Sequence, residues 1–155
     1  MELSKLLGEP GLPPVKVSRL VGDSRQVMPG DLFIASSIDP SSRDSHIIEA
    51  QRLGAIAVLT TTTNVKQSRI PIIEKGDLVS NRGELASIFY GDPSKKKFCI
   101  GVTGTNGKTS IAYFVAAIGR LLEFEFGYIG TLGFGKIGNL VPGSLTTPDA
   151  LDIQR

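Results

Sequence analysis

The sequence predicts an α/β fold in two parts, a small α/β unit followed by the start of a parallel-sheet unit. Three observations lead there. Short apolar runs alternate with helical patterns up to about residue 90. A polar, lysine-rich stretch, Gly91-Asp92-Pro93-Ser94-Lys95-Lys96-Lys97, then reads as a linker. Beyond it an apolar run, Phe98–Val102, leads through a glycine-rich turn into an amphipathic helical pattern.

In the first part, Val15–Leu20, Asp31–Ala35, Ala55–Leu59 and Ile70–Ile73 read as strands. Ser45–Leu53 reads as a helix ended by Gly54. Asn81 is a candidate cap for a second helix through Leu85, Ala86, Ile88 and Phe89. Met28-Pro29-Gly30-Asp31 is a turn, with Pro presetting φ and Gly supplying a positive one. In the second part, Ile111, Phe114, Val115, Ile118, Leu121 and Leu122 recur at helical spacing. A further apolar run, Phe126–Phe134, is interrupted by Gly127, Gly130 and Gly133. Thr147 can cap a last helix, with Pro148 at its first position and Asp149 in its first turn.

Composition sets bounds on function. Of the 155 residues, 41% are hydrophobic and 21% charged, and the net charge of +2 argues for neither a nucleic-acid nor a membrane-surface partner. No apolar run approaches the ~20 residues that span a bilayer. The N-terminus lacks a signal-peptide core, and the single cysteine, Cys99, excludes an internal disulfide. Cys99 falls in the strand expected at 98–102, where packing is its default role. These features point to the cytoplasm.

The chemistry concentrates in Gly101-Val102-Thr103-Gly104-Thr105-Asn106-Gly107-Lys108-Thr109-Ser110. A glycine-rich turn entering a helix aims backbone N–H groups at one point, where the helix N-terminus adds positive charge. Lys108 can reach a terminal phosphate and Thr109 can offer a hydroxyl to Mg²⁺. The strict phosphate-loop spacing would require Gly at Val102, so only the compact form is present. The plainer alternative is a glycine-rich turn with an exposed lysine. Ser24 and Arg25 can likewise serve only to cap a turn and pair with Asp23, and the lone His46 is by default a surface residue.

Taken together these motifs resemble the Mur ligase family in its MurE branch. Asp23-Ser24-Arg25, then Val27-x-Pro29-Gly30-Asp31-Leu32-Phe33-x-Ala35, is similar to that family's N-terminal domain. Ile48-Glu49-Ala50 and Gly54-Ala55-x-Ala57-Val58 continue the pattern, and Gly101–Thr109 resembles the ATP loop. Leu145-Thr146-Thr147-Pro148-Asp149 resembles the element that contacts the muramoyl-dipeptide. The stretch Ser36–His46 departs from the family, with Ser45 where Gly is expected.

The resemblance implies a UDP-substrate-binding domain over residues 1–92 and the beginning of a central ATP-binding domain over 97–155. It implies ATP and Mg²⁺ as cofactors, and a UDP-MurNAc-dipeptide and an amino acid as substrates. Thr103, Gly104, Thr105, Asn106, Gly107, Lys108, Thr109 and Ser110 would bind ATP, with Lys108 catalytic and Thr109 on the metal. Ser24, Thr146 and Thr147 would touch the substrate. The family's acidic metal ligand and C-terminal domain would lie beyond residue 155, so the chain alone is expected to be an inactive fragment. A sibling ligase (MurF or folylpolyglutamate synthase) and a non-catalytic UDP-sugar-binding module are the alternatives.

Overall fold

The computed structural model describes residues 1–75, 77–143 and 148–155, leaving aside the side chains of residues 78–80. The chain folds as two compact units, one of residues 1–96 with Gln154 and Arg155, the other of residues 97–153.

The first unit is built on a parallel sheet of β1 (Arg19–Val21), β2 (Asp31–Ala35), β3 (Ala57–Thr60) and β4 (Ile72–Glu74), in that order. Every residue of β2 and β3 is buried. Burial on both faces explains why Leu32-Phe33-Ile34-Ala35 and Ala57-Val58-Leu59 are continuous apolar runs without alternation. Helix α2 (Pro40–Arg52) crosses from β2 to β3 and lays Ile47 and Ala50 against Val21, Phe33, Ala55 and Val58. Two further helices, α1 (Leu3–Leu7) and α3 (Leu78–Tyr90), contact each other.

Two buried ionic side chains tie down the opposite ends of the inner strands of this sheet. Asp31 opens β2 at 2% exposure. Its carboxylate accepts the Met28 N–H at 2.8 Å and two N–H groups of Arg19, at 3.2 and 2.6 Å. Arg19 and Asp31 are also register partners, so side chains and ladder specify the same pairing of β1 with β2. At the other end, Arg43 of α2 donates to the carbonyls of Thr62 and Ser37, both at 2.8 Å, joining the segments that leave β3 and β2.

Several element boundaries differ from the expectations. Residues 15–17 pair with the N-terminus instead of with β2: Leu3 N–H donates to Val15 O and Val17 N–H to Met1 O. The strand expected at 15–20 is therefore confined to Arg19–Val21. Helix α2 starts five residues before Ser45, because the Asp39 carboxylate accepts the Ser42 N–H at 2.7 Å and Pro40 fits the first turn. Asn81 lies inside α3, whose N-terminal flanking residue is Asp77. The strand expected at 70–73 begins after Pro71, which has no N–H for a ladder.

The second unit holds α4 (Lys108–Leu121) and an antiparallel meander of β5 (Tyr128–Gly130), β6 (Gly133–Lys136) and β7 (Asn139–Val141). Its core is Ala116, Tyr128 and Ile137, flanked by Tyr113 and Phe126. No strand is assigned over 98–102; Phe98 is 88% exposed and Cys99 is exposed, so its expected buried role is not met. A strand needs a neighbour to receive its N–H and C=O groups. Among the described residues β5, β6 and β7 pair with one another and none pairs with 98–102. Helix α4 needs no such neighbour and forms as expected, but it buries Ala116 and Gly119 while Ile111, Phe114, Ile118, Leu121 and Leu122 are exposed. The short helix α5 (Ala150–Gln154) starts later than expected: Pro148 and Asp149 precede it, and the Asp149 carboxylate accepts the Leu151 N–H at 2.9 Å. Thr147, the expected cap, lies outside the described residues.

Two stability predictions follow from the first unit. Asp31→Ala leaves the Arg19 guanidinium and the Met28 N–H without their shared acceptor. It should cost about 3 kcal/mol, read as a lower urea midpoint at unchanged m-value. The Asp39 carboxyl is held below the ordinary aspartate range, chiefly by its hydrogen bond from Ser42. Its capping contribution is complete above the unfolded-state value and is lost as pH falls through the lower native one. Part of the stability loss below about pH 4 should therefore be absent in Asp39→Asn, which caps without titrating, when urea midpoints are compared across pH.

Candidate functional site

Two groups of side chains carry chemistry, one in each unit. In the first unit, a 3-10 turn of Ser24–Gln26 follows β1. Arg19 donates to the Gln26 carbonyl at 2.8 Å, so the residue that pairs with Asp31 also ties down this turn. Asp23 precedes it: one carboxylate oxygen accepts the Arg25 backbone N–H at 3.0 Å and Nε at 2.9 Å, and the other accepts its NH2 at 2.7 Å. That fork holds the Asp23 carboxyl below its usual value, with a smaller contribution from the nearby charge of His46.

Ser24 is 4% exposed, and its hydroxyl donates to Glu49 Oε2 at 2.5 Å. Glu49 lies on α2, three residues after His46, which puts both on the same helix side. The structure thus gathers Asp23, Ser24, Arg25, His46 and Glu49 around one turn. In the sequence Glu49 stands only as part of the Ile48-Glu49-Ala50 pattern. Its sole signal was a carboxylate beside Ala50 on the core face of α2, and its partner lies 25 positions away.

In the second unit the glycine-rich turn runs from Thr103 into α4. Gly107 immediately precedes the helix at φ 77°, and Gly104 sits at φ 147°. Both angles fall where a Cβ is disfavoured, so the turn requires glycine at these positions. Gly107 brings no capping side chain to the first turn of α4, and no acidic residue lies in that turn. Its backbone N–H groups therefore remain available to an anion. The Lys108 ammonium folds back, donating to Gly104 O at 2.6 Å and Thr105 O at 3.3 Å. The Thr109 hydroxyl meets that of Thr131, in the turn between β5 and β6, at 3.3 Å.

This donor set suits phosphate: backbone N–H groups, a helix N-terminus and a lysine whose partners among the described residues are carbonyls. For a metal ion it offers hydroxyls, and no group of three or more His, Cys, Asp or Glu side chains among the described residues could hold one. Of the other expected site residues, Thr103, Thr105, Asn106 and Ser110 lie on the turn or at the start of α4. Thr146 and Thr147 lie outside the described residues.

Comparison with known proteins gives a consistent answer. Residues 102–155 match the Mur ligase middle domain. The chain is 40% identical to the UDP-N-acetylmuramoyl-L-alanyl-D-glutamate–2,6-diaminopimelate ligase of Pseudomonas putida, over 99% of this chain and 32% of that protein. It is 41% identical to the ligase of the same name from Coxiella burnetii, over 91% of this chain and 29% of that one. A solved structure of a ligase with this name superposes with a TM-score of 0.73 at 26% identity, covering 99% of this chain and 32% of the other. The MurF ligase of Thermotoga maritima, solved with ADP, superposes with a TM-score of 0.52 at 26% identity, over 71% of this chain and 25% of that chain. The chain spans about a third of the length of the relatives it matches. Motif order, the matched middle domain and the shared fold agree that this chain is similar to Mur ligases, and to those of the MurE branch in particular.

Proposed function

We propose that this chain carries the UDP-substrate-binding domain (1–92) and the beginning of the ATP-binding domain (97–155) of a MurE-type ligase. The whole enzyme would act in peptidoglycan synthesis in the cytoplasm, joining diaminopimelate or lysine to UDP-MurNAc-L-Ala-D-Glu at the expense of ATP. The names of the relatives, both 2,6-diaminopimelate ligases, support the reaction class. The observation that carries the reading is the uncapped N-terminus of α4 behind a two-glycine turn, inside the segment that matches the middle domain. No helix among the described residues is long and apolar enough to cross a membrane.

Each residue then has a physical task. Backbone N–H groups from Gly104 to Lys108 would hold phosphate oxygens, and Lys108 would exchange its carbonyl partners for the β and γ oxygens. Thr109 would give one oxygen to Mg²⁺, which supplies positive charge beside the transferring phosphoryl group. A substrate carboxylate oxygen attacks the γ-phosphorus and ADP leaves. The amino acid's amine then attacks the acyl carbon and inorganic phosphate departs. Ser24 would contact the UDP part of the substrate, and Thr146 and Thr147 its acyl-peptide part.

Titration of UDP-MurNAc-L-Ala-D-Glu into the chain by calorimetry should give saturable binding, weakened by about an order of magnitude in Ser24→Ala. Absence of binding to the folded chain would sink the assignment. In the full-length enzyme, Lys108→Ala should lower kcat by at least about a hundredfold in a phosphate-release assay, because it removes a charge aimed at the transition state. Near-normal turnover would remove Lys108 from the mechanism.

A further inference from the structure

The bond between Ser24 and Glu49 has a direction. A serine hydroxyl has one proton to give, and a carboxylate can only accept. With its proton committed to Glu49 Oε2 at 2.5 Å, Ser24 Oγ has only lone pairs left for a ligand. The arrangement is held from several sides. Ser24 is almost wholly buried, its carbonyl accepts the Val27 N–H at 3.3 Å, and Arg19 anchors the next residues of the turn. Arg25, gripped by Asp23, lies close enough to Glu49 for the carboxylate to stabilise its charge.

We propose that Glu49 is a positioning residue which makes Ser24 an obligatory acceptor and thereby selects a uracil ring over cytosine. This rests on the reading that Ser24 touches the UDP part of the substrate. In uracil, the ring nitrogen between the two carbonyls carries a proton; in cytosine the same nitrogen carries a lone pair. The first completes the chain ring N–H to Ser24 Oγ to Glu49. The second sets lone pair against lone pair and leaves a buried acceptor unmet, the kind of mismatch by which polar sites discriminate strongly. Glu49 does this without touching the ligand.

The test is calorimetric titration of UDP and of CDP into the wild-type chain, Glu49→Gln, Ser24→Ala and the double variant. The wild type should prefer UDP by about tenfold or more. In Glu49→Gln the amide can donate to Ser24 Oγ and free the serine proton, so the preference should fall to within about threefold of unity. Glu49→Ala, which removes the acceptor altogether, should shift it the same way. In the Ser24→Ala background, Glu49→Gln should change the ratio by less than about twofold, because the residue acts only through the serine. An unchanged UDP-to-CDP ratio in Glu49→Gln, or an equal change with and without Ser24, overturns the role of Glu49 and leaves the proposed function standing. A folded wild type that binds neither nucleotide overturns both.

Discussion

The carboxylate of Asp31 is the constraint on which the first unit depends. It is buried, and it accepts from the Met28 backbone and twice from the Arg19 guanidinium. A buried carboxylate must be paired, and this one is paired where four structural features meet. It ends the turn at Met28–Gly30, starts β2, sets the β1–β2 register and, through Arg19, holds the Ser24–Gln26 turn. The side chains that would read a ligand therefore stand on a frame fixed by one ion pair and not on a free loop.

The polar groups of the two units are held in different ways. Around Ser24 the side chains are already partnered, Asp23 with Arg25 and Ser24 with Glu49, so their directions are set before any ligand arrives. Preorganisation of this kind favours selectivity, because a ligand of the wrong hydrogen-bonding pattern meets fixed partners. In the glycine turn, the Lys108 ammonium is satisfied by the carbonyls of Gly104 and Thr105. Those bonds are replaceable: a phosphate oxygen is a stronger acceptor than a neutral carbonyl, so the lysine can exchange one set for the other without a stage as an unpaired charge.

Exposed apolar side chains along α4 and at Phe98 and Ile100 show the difference between forming an element and burying it. Helix hydrogen bonds close within the segment, so Lys108–Leu121 forms from its own sequence. A strand has no such internal closure. Residues 98–102 have the composition of a buried strand, but among the described residues they have no ladder to join.

What the sequence determined by itself was local. The apolar run of β2, the Met28–Asp31 turn, the glycine-rich entry to α4 and the period of that helix were legible because each depends on residues within a few positions of one another. The early start of α2 is written in Asp39-Pro40 as well, inside the Ser36–His46 stretch that departs from the family pattern. Tertiary structure alone decided the pairings across long separations. It joined residues 15–17 to the N-terminus, drew Arg43 to two strand ends, chose Ala116 and Gly119 over larger side chains for the α4 contact, and brought Glu49 to Ser24. The physical reason is common to all of these. A propensity or a turn is settled by nearest neighbours along the chain, whereas a hydrogen-bond partner or a burial site exists only once another segment has been brought alongside.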